Sequence, residues 1–467
     1  MRSLPSVDRV MSHPALAVVL AQLPYAVVLA AVREEIARSR DLLKQGATGA
    51  GYGPDDIAGQ AAERALSTAR PSLRHVINAT GVIIHTNLGR SPLSSQAIEA
   101  MQRAAAYSNL EYDLDAGERG SRYTHAVQVL RSVTGCEDAL IVNNNAAALV
   151  LVLACLAAGK EVVVSRGQLV EIGGGFRIPE IMSQSGARLV EVGTTNRTYT
   201  SDYERALTAE TALLMRIHAS NFRIVGFTEQ PGLPELVQLA RARDLLVVED
   251  AGSGALIDTR RFGLAQEPLV QESLKAGADL VLFSGDKLLG GPQCGIIVGR
   301  QQVVLRLKKH PLARALRVDK LTLGALEATL LHYLKGEAEQ QVPVWKMIAA
   351  PASAIKVRVE RWAETLGRAG LRCRVEEGLS AIGGGSLPGE TLPTWLLAVE
   401  PQSVGGSKPQ ETAGTMAELL RGAETPIIAR VERGLLLLDP RTVADDEEET
   451  LLSVLRSCLV PRQEQRR

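Results

Sequence analysis

The sequence predicts an α/β protein: a large domain on a mostly parallel sheet, with a small helical domain before it and a smaller α+β domain after it. Three observations point there. Residues 1–70 contain no convincing strand. From Val76 to about residue 335, short Val-, Ile- and Leu-rich runs alternate with helical stretches. Beyond 335 the alternation loosens and glycine-rich turns intervene. The 467 residues suit about three domains, assigned as 1–70, 71–335 and 336–467.

The first element to justify is the apolar run 15–32, preceded by Arg2 and Arg9. Its length raises the question of a signal peptide or a membrane helix. Gln22 and Pro24 interrupt it near the middle, and a proline there breaks a helix or starts a new one. Charged residues then continue at helical spacing through Leu43, so two packed amphipathic helices are expected. The glycine-rich stretch 45–54 is a flexible break within this domain. Next come the predicted strands of the large domain, at 139–142, 161–165, 188–192, 212–218, 245–249, 279–284 and 295–298, with helices such as 145–158 and 234–244 between them. In the last third, 395–400 and 434–438 read as strands and 353–369 and 411–421 as helices. The segments 383–385 and 405–406 read as turns, and the polar tail 462–467 as frayed.

Composition excludes several functions. Lys+Arg and Asp+Glu are both 52, so the chain is not a globally basic nucleic-acid binder, although a local basic patch remains open. Aromatic residues are 3%, too few for a protein that stacks bases on aromatic platforms. Five widely spaced cysteines form no CxxC pair, which points to neither a disulfide framework nor a zinc site, and to a reducing, cytosolic setting.

Parallel sheets bind ligands at the carboxyl ends of their strands, so the chemistry should lie there. The strand 245–249 runs into Asp250-Ala-Gly-Ser-Gly254, and the strand 279–284 into Ser284-Gly-Asp-Lys287. One carboxylate and one lysine thus face the same crevice. Pyridoxal 5'-phosphate needs that pair: a lysine to hold it as a Schiff base and an aspartate to keep its pyridine nitrogen protonated. Ser284 is placed to donate to the cofactor phosphate. A second phosphate ligand is the strand-to-helix junction at Asn144, Asn145 and Ala146, where asparagine caps a helix whose N-terminus attracts anions. Each feature alone has a bland explanation as a cap, a turn or a surface lysine; the order of the three along the chain carries the cofactor assignment. The Ser-x-x-Lys spacing also occurs in penicillin-binding enzymes, but there it opens a helix. The glycines 173–175 lack the Gly-Lys-Ser/Thr of a phosphate loop.

At these residues the sequence resembles the bacterial selenocysteine synthases, the L-seryl-tRNA(Sec) selenium transferases. The matching blocks are Asn78-Ala-Thr-Gly-Val-Ile-Ile-His-Thr-Asn-Leu-Gly-Arg-Ser-Pro92, Tyr112-Asp-Leu-Asp-Ala-Gly-Glu-Arg-Gly-Ser-Arg122, Val142-Asn-Asn-Asn-Ala146, Ser165-Arg-Gly-Gln-Leu-Val-Glu-Ile-Gly173, Ser284-Gly-Asp-Lys287 and Arg314-Ala-Leu-Arg-Val-Asp-Lys320. The resemblance implies a fold-type I pyridoxal-phosphate enzyme that converts seryl-tRNA(Sec) to selenocysteyl-tRNA(Sec) through an aminoacrylyl group, with selenophosphate as donor. It further implies a homo-oligomeric ring of dimers, a decamer, with active sites at subunit interfaces. Lys287 and Asp250 are then the catalytic pair, with Asp286 assisting departure of hydroxyl or phosphate. Arg90, Arg314 and Arg317 would hold selenophosphate. Residues 300–320 carry seven Lys+Arg against one acid, and Arg314 and Arg317, three apart, would share a helix face. The helical domain 1–70 would dock on the tRNA, despite eight basic against seven acidic residues. Two other readings stay open: a lyase of the same fold acting on a small phosphorylated amino or sugar acid, and a non-catalytic RNA-binding scaffold.

Overall fold

A computed structural model describes residues 4–45, 52–172, 175–401 and 409–460. The chain forms two compact units, Met1–His75 and Val76–Arg467. The glycine-rich stretch from Gly46 to Gly51, the glycines 173 and 174, the turn 405–406 and the tail beyond 460 lie outside the described residues.

The first unit is a cluster of four helices, Val7–Met11, Pro14–Leu20, Tyr25–Lys44 and Pro54–Thr68. Pro14 and Pro54 occupy first-turn positions and Pro24 is an N-cap. At each of these positions a proline's missing N–H costs nothing. Val10, Leu16, Val28, Val32, Ile36, Ile57 and Ala61 interlock as its core. The apolar run 15–32 is thus divided between two packed helices. Among the described residues no helix is long and apolar enough to cross a membrane.

The second unit is organised by a seven-stranded sheet. Its order is Asp138–Val142, Gly295–Gly299, Leu280–Ser284, Leu246–Gly252, Thr211–Ile217, Glu161–Ser165 and Arg188–Val192. All pairs are parallel except the two made by Gly295–Gly299. Side chains alternate between the faces, as a period of two requires. Val163, Leu214, Val247 and Val281 enter one core with the helix Leu233–Arg241. Val162, Val164, Leu213, Met215 and Val248 enter the other, with the helix Asn145–Leu156. Both faces are therefore buried, which is why these strands are nearly continuous in apolar residues.

A second sheet of five strands runs Arg430–Glu432, Leu435–Leu438, Thr391–Val399, Cys373–Gly383 and Val82–Ile84. Its last strand comes from ahead of the large sheet and pairs parallel to Cys373–Gly383. Ile77–Asn78 likewise pairs with Ile427–Ile428. Residues 77–84, counted by sequence with the cofactor domain, are thus built into the C-terminal sheets. The eleven-residue strand Cys373–Gly383 is an element the sequence pattern did not reveal, because Glu376, Glu377 and Gly378 depress its strand character.

Candidate active site

The strand Leu246–Gly252 continues past Glu249 and carries Asp250 within the sheet, between Ile217 and Leu282. Asp250 is buried. It accepts hydrogen bonds from Asn145 Nδ2 at 2.9 Å and from the Gly252 N–H at 3.1 Å. Burial pushes its carboxyl up from the ordinary range, against the pull of Asn145, the Lys287 charge and the Gly252 N–H. The chain then turns through Gly254, at φ +70°. A Cβ there would stand 2.8 Å from the Phe283 ring and from the Ser284 carbonyl. Only glycine lets these two strand ends approach so closely.

Lys287 follows the strand Leu280–Ser284 by three residues and is 5% exposed. Its backbone is pinned. Ser91 Oγ lies 2.6 Å from the Lys287 carbonyl and 2.8 Å from that of Asp286. The Gly290 N–H donates to the Lys287 carbonyl, and the Leu288 N–H to Ser253. Among the described residues no acceptor holds its Nζ. Burial lowers the amine's pKa; the negative charge of Asp250 opposes this and Arg90 adds to it. The Gly383–Gly385 turn closes the space beside the amine: a Cβ on Gly385 would fall 2.7 Å from Nζ.

Asn144 caps the helix Asn145–Leu156, its side chain accepting from the Ala147 N–H at 2.8 Å. The Asn145 and Ala146 N–H groups are left without intrahelical partners. Asn145 Oδ1 is buried with no hydrogen-bond partner. Ser284 is buried at the end of its strand.

Arg90 and Asp286 are brought together, Nη1 to Oδ2 at 2.7 Å, with Asp286 buried and Arg90 a third exposed. Arg314 and Arg317 do not share a helix face. The helix Pro311–Ala315 ends between them. Arg317 instead forms an isolated bridge with Val142, and the Asn143 N–H donates to Leu316. The reason is local: that edge of the strand Asp138–Val142 offers backbone pairing that competes with another helical turn. Both arginines are exposed, and Arg317 stands beside the Asn144 cap.

Sequence reasoning missed three neighbours of this site. His218 follows the strand Thr211–Ile217, its N–H donating to the Asp250 carbonyl. Glu267 is buried and accepts from the Leu387 N–H and from Ser253 Oγ. Gly385 approaches from 98 residues beyond Lys287. Only His218 carried a usable signal, as a titratable side chain at the end of the strand next to that of Asp250.

A buried amine without a partner, a carboxyl whose burial favours a cationic neighbour and an open helix N-terminus together suit pyridoxal 5'-phosphate. The orphaned Asn145 oxygen adds room for one more polar contact. On this sheet the arrangement defines a pyridoxal-phosphate enzyme of fold type I. The solved structure of a D-glucosaminate-6-phosphate ammonia-lyase matches with a TM-score of 0.58 at 24% identity, covering 83% of this chain and 96% of that one, a likeness of fold.

The particular kind follows from sequence comparison. Residues 76–444 match the family model of L-seryl-tRNA selenium transferase, and residues 1–40 match that of the selenocysteine synthase N terminal region. The L-seryl-tRNA(Sec) selenium transferase of Geobacter sulfurreducens is 49% identical, over 97% of this chain and 98% of that one. The enzyme of that name from Moorella thermoacetica is 48% identical, over 98% and 97%. The chain belongs to the L-seryl-tRNA selenium transferase family, and its function is selenocysteine synthesis on seryl-tRNA(Sec).

Proposed function

We propose that the chain makes selenocysteyl-tRNA(Sec) by removing the seryl β-hydroxyl and adding selenium from selenophosphate. The observation that carries the mechanism is the juxtaposition of Asp250 with a buried Lys287 amine that has no acceptor among the described residues, the one on a strand and the other just past the end of its parallel neighbour. Bound pyridoxal phosphate supplies an electron sink for the pair left at the seryl Cα. Lys287 anchors the cofactor through Nζ. Once released, the same Nζ takes the Cα proton and later returns one. Burial lowers its pKa, which favours the neutral amine needed to bind the cofactor and to take the Cα proton. Asp250 holds the proton on the pyridine nitrogen, and Asn145 fixes the orientation of its carboxylate. The backbone N–H groups of Asn145 and Ala146, with Ser284, hold the cofactor phosphate, while Asn144 organises that helix end.

Arg90, Arg314 and Arg317 hold the phosphate of the selenium donor, with Asp286 orienting Arg90. The first unit selects the tRNA. Arg33, Arg40 and Lys44 lie seven and four residues apart on the exposed side of the helix Tyr25–Lys44, one face that can follow a phosphate backbone. The assembly is a ring of dimers, a decamer, and the setting is cytoplasmic, in keeping with five free cysteines.

The test is reconstitution. Purified protein with pyridoxal phosphate, seryl-tRNA(Sec) and selenophosphate should form selenocysteyl-tRNA. The variant Arg33→Glu, Arg40→Glu, Lys44→Glu should keep its cofactor and bind the tRNA at least about tenfold more weakly. Unchanged tRNA affinity would remove the first unit's recognition role.

A further inference from the structure

Removing the seryl hydroxyl moves two protons. One leaves Cα for Lys287. The other must reach the β-oxygen, because hydroxide is a poor leaving group unless protonated as it departs. The groups beside Lys287 differ in their capacity for this second transfer. Asp286 accepts from the Arg90 guanidinium, and Glu267 accepts from Leu387 and Ser253. Cys294 is fully buried, and its burial raises the thiol far above the ordinary range. His85 has its pKa lowered by burial, which favours the form without a proton to give. Among the more distant histidines, His125 is bonded to the Leu110 carbonyl, and His332 to Glu337 and Ser94.

His218 differs from all of these. It lines a cavity of about 450 Å³ together with Gln230, Glu267 and Leu387. Its Nε2 is buried 2.7 Å from Glu267 Oε2, off the direction of a proper hydrogen bond. Its Nδ1 has no protein partner among the described residues, and the side chain is 22% exposed. Two residues lining the cavity reach the lysine site: Glu267 is near enough to Lys287, and His218 to Asp250, to act on each electrostatically. The His218 N–H is tied to the Asp250 carbonyl, and Glu267 is tied to Leu387, two residues from the Gly385 that abuts Nζ. An imidazole on a cavity wall, with a buried carboxylate against one nitrogen and no protein partner on the other among the described residues, is placed to transfer a proton.

We infer that His218, supported by Glu267, is the general acid that protonates the departing seryl β-oxygen. In that step the electron pair left at Cα forms the Cα=Cβ bond as the Cβ–O bond breaks and its pair goes to oxygen. The oxygen takes the proton from His218 Nδ1 and leaves as water, and the imidazole becomes neutral. The Cα proton stays with Lys287, and no oxidant or reductant is involved.

This inference rests on the elimination reading above, and the experiment separates the two. Cα–H exchange with deuterated solvent reports Lys287 alone. Thiol trapping of the unsaturated aminoacyl group reports loss of the leaving group. Two substrates are compared: seryl-tRNA, whose hydroxyl needs a proton, and β-chloroalanyl-tRNA, whose chloride does not. His218→Gln should load cofactor and exchange Cα–H within about twofold of the parent. It should eliminate hydroxyl about 100-fold more slowly, near the low end of general-acid effects, and eliminate chloride at nearly the parent rate. Glu267→Gln keeps the imidazole and an acceptor for Leu387, and should show the same selective loss at about tenfold. Equal loss on both substrates, or loss on neither, overturns the role of His218. A parent protein that exchanges and dehydrates no seryl-tRNA overturns the elimination reading itself.

Discussion

Gly385→Ala tests how closely the C-terminal sheet controls the reactive lysine. Gly385 has φ +81°, and the added Cβ would stand 2.7 Å from Lys287 Nζ, 2.8 Å from Cε and 3.3 Å from Cδ. Two costs follow. An alanine in the left-handed region costs about 1–2 kcal/mol. The methyl must also push the lysine tip by about 0.7 Å to restore ordinary contact, from 2.7 to 3.4 Å. A displacement near 1 Å at a reacting atom lowers rates by as much as about 100-fold. Gly389→Ala is the control. Its φ is +76°, so the backbone cost is the same, but its nearest neighbours are Arg223 atoms at 3.6 Å. Both variants should lose a few degrees of Tm in the cofactor-free protein. Only Gly385→Ala should slow capture of pyridoxal phosphate, followed by visible absorbance, by tenfold or more. Equal capture rates in the two variants would refute the claim that this turn sets the position of Nζ.

Other substitutions address the remaining roles. Borohydride reduction followed by peptide mapping should place the cofactor on Lys287, and Lys287→Ala should trap none; label on another lysine would displace the assignment. Because burial depresses the Lys287 pKa, capture should rise with pH through a midpoint below the ordinary lysine value and level off above it. Between those two values the unfolded chain binds the extra proton, so the cofactor-free protein should gain stability from this group as pH rises. Asp250→Asn should retain cofactor but lose turnover by at least about 100-fold, since an amide accepts a hydrogen bond yet cannot hold the pyridinium charge; near-parent turnover would remove Asp250 from the chemistry. Arg314→Ala and Arg317→Ala should each raise the selenophosphate concentration needed for half-maximal rate about tenfold while leaving tRNA affinity unchanged; a donor dependence that stays put in both would end their assignment.

What the sequence determined by itself is what repeats locally. Burial on both faces makes the strands of a parallel sheet continuous apolar runs, so the strand positions of the large domain were readable, with Asp250 and Lys287 placed at two strand ends. Prolines at helix starts divided the apolar run 15–32 for an equally local reason. Tertiary structure decided the contacts between distant segments. Val82–Ile84 joins a sheet whose other strands begin at Cys373, because a three-residue strand is specified by its partner and not by its own composition. His218 meets Glu267 across 49 residues and Gly385 meets Lys287 across 98. Arg317 leaves the expected helix because a strand edge lies beside it. Periodicity records which face of an element is buried, whereas the partner on that face depends on how the chain closes, and in this protein the surroundings of the reactive lysine are made of such closures.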